Sequence, residues 1–246
     1  MLQPDNALRV RMDHYADGHI ESWHSHRQGQ WLYAQSGMVR VYIDNAIWTL
    51  PPLRALWLPP TKGHEVRAIG TVNMASVYLE PEQVPSHLAR HGVFNVSAMV
   101  DVLLNNLLIE QNEPASVRRQ MMADLLLHEV CAAPHAPDLA LPMPQERRLR
   151  RLCEALMLDP ANSDGLELWG DRVGASARTI VRLFRDETGL SFGQWRDQMR
   201  VSDALIRLAR KEPVHSIARQ LGYHSSSAFI AMFRKVSGFS PSQAIR

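Results

Sequence analysis

From residue 7 to residue 80 apolar and polar positions alternate in short runs rich in β-branched and aromatic residues. The runs are LRVRM, GQWLYA, MVRVYI, AIWTL, RALWL, HEVRAI and NMASVYL, broken at Ser36-Gly37, Asp44-Asn45, Pro51-Pro52 and Pro59-Pro60. A period of two buries one strand face and wets the other, so about seven or eight short strands are expected, as in a β-barrel or sandwich over residues 1–84. After Pro85 the period lengthens to that of a helix. Met99, Val102, Leu103 and Leu107 share one face of a helix over about 96–111, and Met121, Leu125, Leu126 and Val130 share one over about 116–131. This helical segment, 85–132, is expected to pack on the barrel or against a second copy of the chain, giving a homodimer. Residues 133–144, APHAPDLALPMP, carry four prolines and little core material, and read as a linker. From Gln145 to Arg246 the pattern is helical, so the fold class expected is α+β in two domains.

The helical third repeats itself. LFRDETGLSFGQWR (Leu183 to Arg196) returns as MFRKVSGFSPSQAIR (Met232 to Arg246), with Phe184 and Phe233, and Gly189 and Gly238, each 49 residues apart. Gly170 and Gly174 precede the first copy as Ala218 and Gly222 precede the second. A small residue in one helix, a glycine turn and a second amphipathic helix make a helix-turn-helix, whose second helix fits the DNA major groove. In the first unit Gly174 should be left-handed, and Ser176 should cap the next helix. Ile180, Leu183 and Phe184 face inward there, while Arg178, Val181, Arg182 and Arg185 face out. Three outward arginines suit guanine edges and phosphates. In the second unit Phe229, Met232, Phe233 and Val236 face inward. Its outward face, Ser227, Ile230, Ala231 and Arg234, is less polar and suits a thymine methyl better than bidentate base reading. The first unit is therefore expected to carry most of the specificity. A long helix over 192–211, with Trp195, Met199, Leu205 and Leu208 inward, should hold the two readers about one duplex turn, ~34 Å, apart.

Charge supports the division. Residues 145–246 hold 17 Lys/Arg against 11 Asp/Glu, and residues 1–144 hold 10 against 14, within a chain of net charge +2. A basic C-terminal half suits a polyanion. The N-terminus, MLQPDNALRV, lacks the pattern of a signal peptide, and no apolar run is long enough to span a bilayer. Cys131 and Cys153 have no C-x-x-C spacing, which fits a reducing, cytoplasmic setting.

The ending Ala218, Gly222, Tyr223, Phe229, Phe233, Arg234, Lys235, Gly238, Ser240, Pro241 resembles the signature of AraC/XylS-type transcriptional regulators, over residues 145–246. By position the resemblance implies base contacts from Arg178, Val181 and Arg182, and from Ser226, Ser227 and Ala231. The whole DNA-facing set expected is Ser176, Arg178, Thr179, Val181, Arg182 and Arg185 with Ser226, Ser227, Ile230, Ala231 and Arg234. Two positions depart from the family: Gly170 stands where alanine is usual, and Ala231 where many members carry arginine. The resemblance implies a regulator of promoter DNA, by the family's commoner habit an activator that meets RNA polymerase.

The stretch Gly18, His24, His26, Gln30, Gly37 resembles a first cupin motif in which Gln30 replaces the carboxylate, and Pro59 to His64 resembles a reduced second one. This makes the N-terminal domain cupin-like. Residues i and i+2 of a strand share a face, so His24 and His26 can point together, with His64 as a third imidazole. His24, His26, Gln30 and His64 form a candidate set for zinc, iron, nickel or copper. A small organic effector is the other reading, in a pocket lined by Trp31, Tyr33 and Trp57. A cupin metalloenzyme with an accessory DNA-binding domain is the alternative function. No general acid or base stands beside the histidines, because Glu65 should leave the strand on the face opposite His64, and the expectation is that the chain is not an enzyme.

Overall fold

The computed structural model describes residues 8–114 and 116–244. The first seven residues of MLQPDNALRV and Arg246, the end of the repeat, lie outside them. Contacts divide the chain into two units, Met1–Val39 with Leu50–Asp138, and Arg40–Thr49 with Leu139–Arg246.

The first unit is sheet-rich. Its strands are β1 (Arg9–Tyr15), β2 (Ile20–His24), β3 (Gly29–Ile43, of which residues to Val39 belong here), β5 (Arg54–Leu58), β6 (His64–Leu79) and β7 (Gly92–Asn95). Pairing is antiparallel: β1 along β6 from Arg9↔Tyr78 to Tyr15↔Val72, β3 along β5 from Gln30↔Leu58 to Tyr33↔Ala55, and β5 along β7. β2 also pairs with β6, at Ile20↔Arg67, Glu21↔Val66 and His24↔His64, and its register shifts between Glu21 and His24. The alternation read from the sequence matches the burial of Trp31, Tyr33, Trp57 and Val77 in one cluster, which Phe94 joins from β7, a strand in the stretch after Pro85 where the period reads as helical.

Two helices complete that core. α1 (Ala98–Ile109) is capped by Ser97, which accepts from the Val100 amide, and α2 (Val117–Cys131) by Ser116, which accepts from the Arg119 amide. The helices lie where their periodicity placed them, but their buried faces are rotated. Val100, Leu103, Leu104 and Leu107 of α1 are buried, whereas Met99 and Val102 are 51% and 57% exposed. On α2 Ala123, Leu126 and Val130 are buried, and Met121 and Leu125 are exposed. Both helices are apolar over more than one face, so periodicity alone left two stripes eligible, and packing took the one through Leu104 and Leu126.

The second unit is helical: α3 (Arg147–Leu158), α4 (Leu166–Val173), α5 (Ala177–Thr188), α6 (Phe192–Ala209), α7 (Val214–Gln220) and α8 (Ser226–Ser237). It also contains β4 (Ala46–Leu50, to Thr49), which pairs with β8 (Leu141–Pro142) at Ala46↔Pro142 and Ile47↔Leu141. Within the proline-rich 133–144, Leu141 and Met143 are buried, and Trp195 donates its indole N–H to the Pro142 carbonyl at 2.7 Å. Ile47, Leu141, Leu152, Trp169, Ile180, Phe184, Trp195 and Met199 form one cluster around the first helix-turn-helix. In α4 it is Trp169 and Gly170 that are buried, while Leu168 is exposed. The Gly170 position is tight, since a Cβ there would lie 2.4 Å from the Ala175 carbonyl oxygen. The repeated glycines repeat a job: Gly189 and Gly238 close α5 and α8 with φ of 71° and 80°.

Candidate functional site

α5 and α8, the second helices of the two helix-turn-helix units, each start on a serine cap. Ser176 accepts from the Thr179 amide at 3.2 Å and meets the Thr179 hydroxyl at 2.9 Å, and Ser225 accepts from the Ala228 amide at 3.2 Å. Such caps satisfy amides that the first helical turn leaves free. On α5 Ile180 and Phe184 are buried with Leu183 half-buried, and Ser176, Arg178, Val181, Arg182 and Arg185 are exposed, with Thr179 half-buried. Arg182 pairs with Asp186 at 3.1 Å, one turn along the same helix. On α8 Phe229 and Phe233 are buried, Ser227, Ala231 and Arg234 are exposed, and Ser226 and Ile230 are half-buried. The outward faces are thus unequal, arginine-rich on α5 and small on α8.

Sequence reasoning missed the groups that line a cleft beside α8. A cleft of about 560 Å³ is lined by His215, Arg219, Tyr223, His224 and Ser226, which adds an arginine and two histidines to the exposed Arg234 of α8. They lie on α7 and its turn, elements read only for their core positions. A second omission is Arg200. This residue of α6 is buried, its Nε donates to the Pro160 carbonyl at 2.9 Å, its terminal nitrogen donates to the Asn162 carbonyl at 3.2 Å, and its guanidinium lies 5.4 Å from the Tyr223 ring centroid. One side chain thereby ties the connecting helix to the loop before α4 and to the turn of the second unit.

In the sheet-rich unit His24, His26 and His64 come together. Each offers a ring nitrogen, and these atoms lie within 4.8 Å of one another. His24 and His64 are direct cross-strand partners with ring centroids 4.3 Å apart, and His26 stands 5.3 Å from His64. All three Nδ1 atoms face backbone carbonyls: Ser22 at 2.8 Å, Gln28 at 2.6 Å and Lys62 at 2.9 Å. A carbonyl oxygen only accepts, so each Nδ1 carries a proton, and a ring in its neutral form presents an Nε2 lone pair. His64 is fully buried, and its Nε2 has no hydrogen-bond partner among the described residues. Burial, the dominant cause, pushes its imidazole down to about 4, so at neutral pH it is an uncharged donor of electrons.

Gln30 is buried, and its amide nitrogen donates to the hydroxyls of Ser76 at 3.0 Å and Tyr78 at 3.1 Å. That orientation sets its Oε1 3.0 Å from His26 Nε2. Two acceptors at that distance repel unless a proton or a cation lies between them, or the amide is reversed. Glu65, by contrast, pairs with Arg67 at 2.6 Å.

Trp31, Tyr33 and Trp57 are fully buried in the first unit's core. Trp57 donates to the Leu88 carbonyl at 2.7 Å, and Tyr33 donates to Asp101 at 2.7 Å. No helix among the described residues is long and apolar enough to cross a membrane.

Comparisons with known proteins place names beside this geometry. The family model of the AraC-like ligand binding domain matches residues 7–159, and that of a helix-turn-helix domain matches 169–246. The HTH-type transcriptional regulator NimR of Escherichia coli K12 is 30% identical over 224 residues, covering 90% of this chain and 81% of that protein. The HTH-type transcriptional activator RhaR of Klebsiella pneumoniae is 28% identical over 183 residues, covering 71% of this chain and 56% of that protein. Among solved structures, ToxT from Vibrio cholerae aligns over 97% of this chain and 98% of that one, with a TM-score of 0.41 and 10% identity.

Proposed function

The chain belongs to the AraC family of transcriptional regulators, and we propose that it is a sequence-specific activator governed by a divalent transition-metal ion held by His24, His26, His64 and Gln30. A ligand-binding domain joined to a helix-turn-helix domain is what the matched family models describe. The observation that carries the metal reading is the fully buried His64 Nε2, without a partner among the described residues, on a ring that lies with two other imidazoles so that one nitrogen of each is within 4.8 Å of the others. An unsatisfied buried acceptor costs ~1–3 kcal/mol, and ligation of a cation removes that cost. Imidazole nitrogens with one amide oxygen suit zinc, iron, nickel or copper.

On the DNA side, Arg178, Val181 and Arg182, with Ser176, Thr179 and Arg185 around them, read bases and backbone. Ser226, Ser227, Ile230, Ala231 and Arg234 anchor the second unit, with Arg219, His215 and His224 facing phosphates. A regulating ion must bind the DNA-competent and incompetent states with different affinity. Activation is the role named for the relative RhaR, and an activator has RNA polymerase as its partner. The exposed apolar residues Met99, Val102, Met121 and Leu125 of α1 and α2 support pairing with a second copy of the chain. The named relatives are transcriptional regulators, and Glu65, the carboxylate next to His64, is paired with Arg67, which supports a sensor rather than an enzyme.

The test is footprinting on the promoter with chelator-treated protein, before and after one equivalent of zinc, nickel or iron(II), beside elemental analysis of the reconstituted protein. A stoichiometric ion that shifts operator affinity by about fivefold or more supports the reading. Absence of stoichiometric metal overturns it and leaves an organic effector as the ligand.

A further inference from the structure

A dication bound by three neutral imidazoles and a neutral carboxamide keeps its full charge in a partly buried site, which is unfavourable without a nearby anion. The histidine motif holds glutamine where a carboxylate would compensate that charge. Glu21 stands within reach. Its Oε1 lies 3.9 Å from His24 Nε2, and its charge also acts on His64. In a regular strand, residues i and i+3 leave on opposite faces. The register shift between Glu21 and His24 breaks that parity and brings both side chains to the same side of β2.

We infer that Glu21 is an anionic ligand of the histidine metal centre, supplying from β2 the carboxylate that the motif lacks at Gln30. The inference rests on the metal reading proposed above. His24 Nδ1 donates to the Ser22 carbonyl, so in the neutral ring the Nε2 that faces Glu21 carries a lone pair. A carboxylate oxygen opposite a lone pair is repulsive. A proton on His24 relieves that pair alone, whereas one dication relieves Glu21 against His24, Gln30 against His26, and the orphaned His64 nitrogen together.

The carboxylate is also oriented. The Tyr15 hydroxyl donates to Glu21 Oε2 at 3.1 Å, leaving Oε1 toward His24, and the Tyr15 ring stacks on His19 at 4.4 Å. Such hydrogen bonds to a ligating carboxylate are a usual outer layer of a metal site. Neighbouring carboxylates are otherwise engaged: Asp13 with Arg11 at 2.6 Å, Glu65 with Arg67 at 2.6 Å and Glu82 with Arg27 at 3.2 Å. The completed set is three nitrogens and two oxygens, a mixture that suits first-row divalent ions.

The experiment is titration of the chelator-treated full chain with cobalt(II), followed by its visible d–d absorption, with zinc(II) competition for affinity. Wild type, Glu21→Gln, Glu65→Gln and His64→Leu are compared, each checked for folding by circular dichroism. The expected result is one cobalt per chain in wild type and Glu65→Gln. Glu21→Gln should bind about tenfold or more weakly, with a changed band pattern, and His64→Leu should not form the site. Wild-type affinity and spectrum in Glu21→Gln, with binding lost in His64→Leu, overturns the role of Glu21 and leaves the metal reading standing. No cobalt or zinc in wild type overturns both.

Discussion

His64 Nδ1 lies 2.9 Å from the carbonyl oxygen of Lys62, and that bond leaves Nε2 as the free nitrogen of a fully buried ring that clusters with His24 and His26. Burying a ring nitrogen without a partner costs stability unless something binds it. This ring leaves Nε2 without a partner among the described residues. In chelator-treated protein, His64→Leu should therefore unfold in urea within ~1 kcal/mol of wild type, because the orphaned nitrogen disappears along with one hydrogen bond. A loss of several kcal/mol would assign His64 to the fold instead.

Arg178→Ala and Arg182→Ala should each weaken operator binding and relax sequence preference by ~1–3 kcal/mol per lost bidentate contact. Arg182 is held by Asp186 at 3.1 Å, so its variant also loses an exposed intrahelical pair, worth little by itself. Arg219→Ala should weaken binding to all sequences alike and lower the salt slope by about one. Gel-shift titrations on operator and random duplexes over a salt series separate the two behaviours.

Trp195→Phe should destabilise the second unit by ~1–3 kcal/mol, since it leaves the Pro142 carbonyl without its indole donor and shrinks a fully buried side chain. Denaturant unfolding of the full chain, followed by far-ultraviolet circular dichroism, measures it. An unchanged midpoint would mean that the tie between α6 and β8 contributes nothing.

Cys153 is fully buried, and burial pushes its thiol well above the ordinary range, while Cys131 is half-buried and raised by the same cause. Only the thiolate reacts. Iodoacetamide at pH 8.5 should leave Cys153 unmodified in the native protein and label Cys131 more slowly than a free thiol, as read by mass spectrometry. Both should label at once in urea. Rapid native labelling of Cys153 would show that the α3 core opens readily.

Met121→Glu and Val102→Asp replace exposed apolar residues, at 66% and 57% exposure, on the faces of α2 and α1 that the core does not use. Each should convert a dimer to monomer at micromolar concentration by light scattering, leaving the fold intact. A wild-type mass for both variants would remove this face from the assembly.

The linear pattern was enough to read a sheet-rich half followed by a helical half, the positions of α1 and α2, and both helix-turn-helix units. Strand alternation, helix period and glycine turns are local properties, written within a few residues of where they act. The inward faces of α5 and α8 were legible for that reason, and so were Ser176 as a cap and Gly174 as a left-handed residue, with φ of 71°. Which stripe of α1 and α2 is buried was not legible, because two stripes are apolar and only the neighbouring sheet chooses between them.

The three histidines were legible as a set, although β2 ends at His24, so His26 is not on the strand that the i, i+2 reading assumes. Their chemistry was not. Only the tertiary structure fixed the Nδ1 protons on three backbone carbonyls and buried the His64 Nε2 without a partner. Glu21 is the sharpest case: its separation from His24 predicts the opposite strand face, and a register shift against β6 puts the two 3.9 Å apart. Sequence determines what each segment prefers by itself. The pairing of strands distant in the chain decides which side chains meet, because a shift of one residue turns a side chain to the other face.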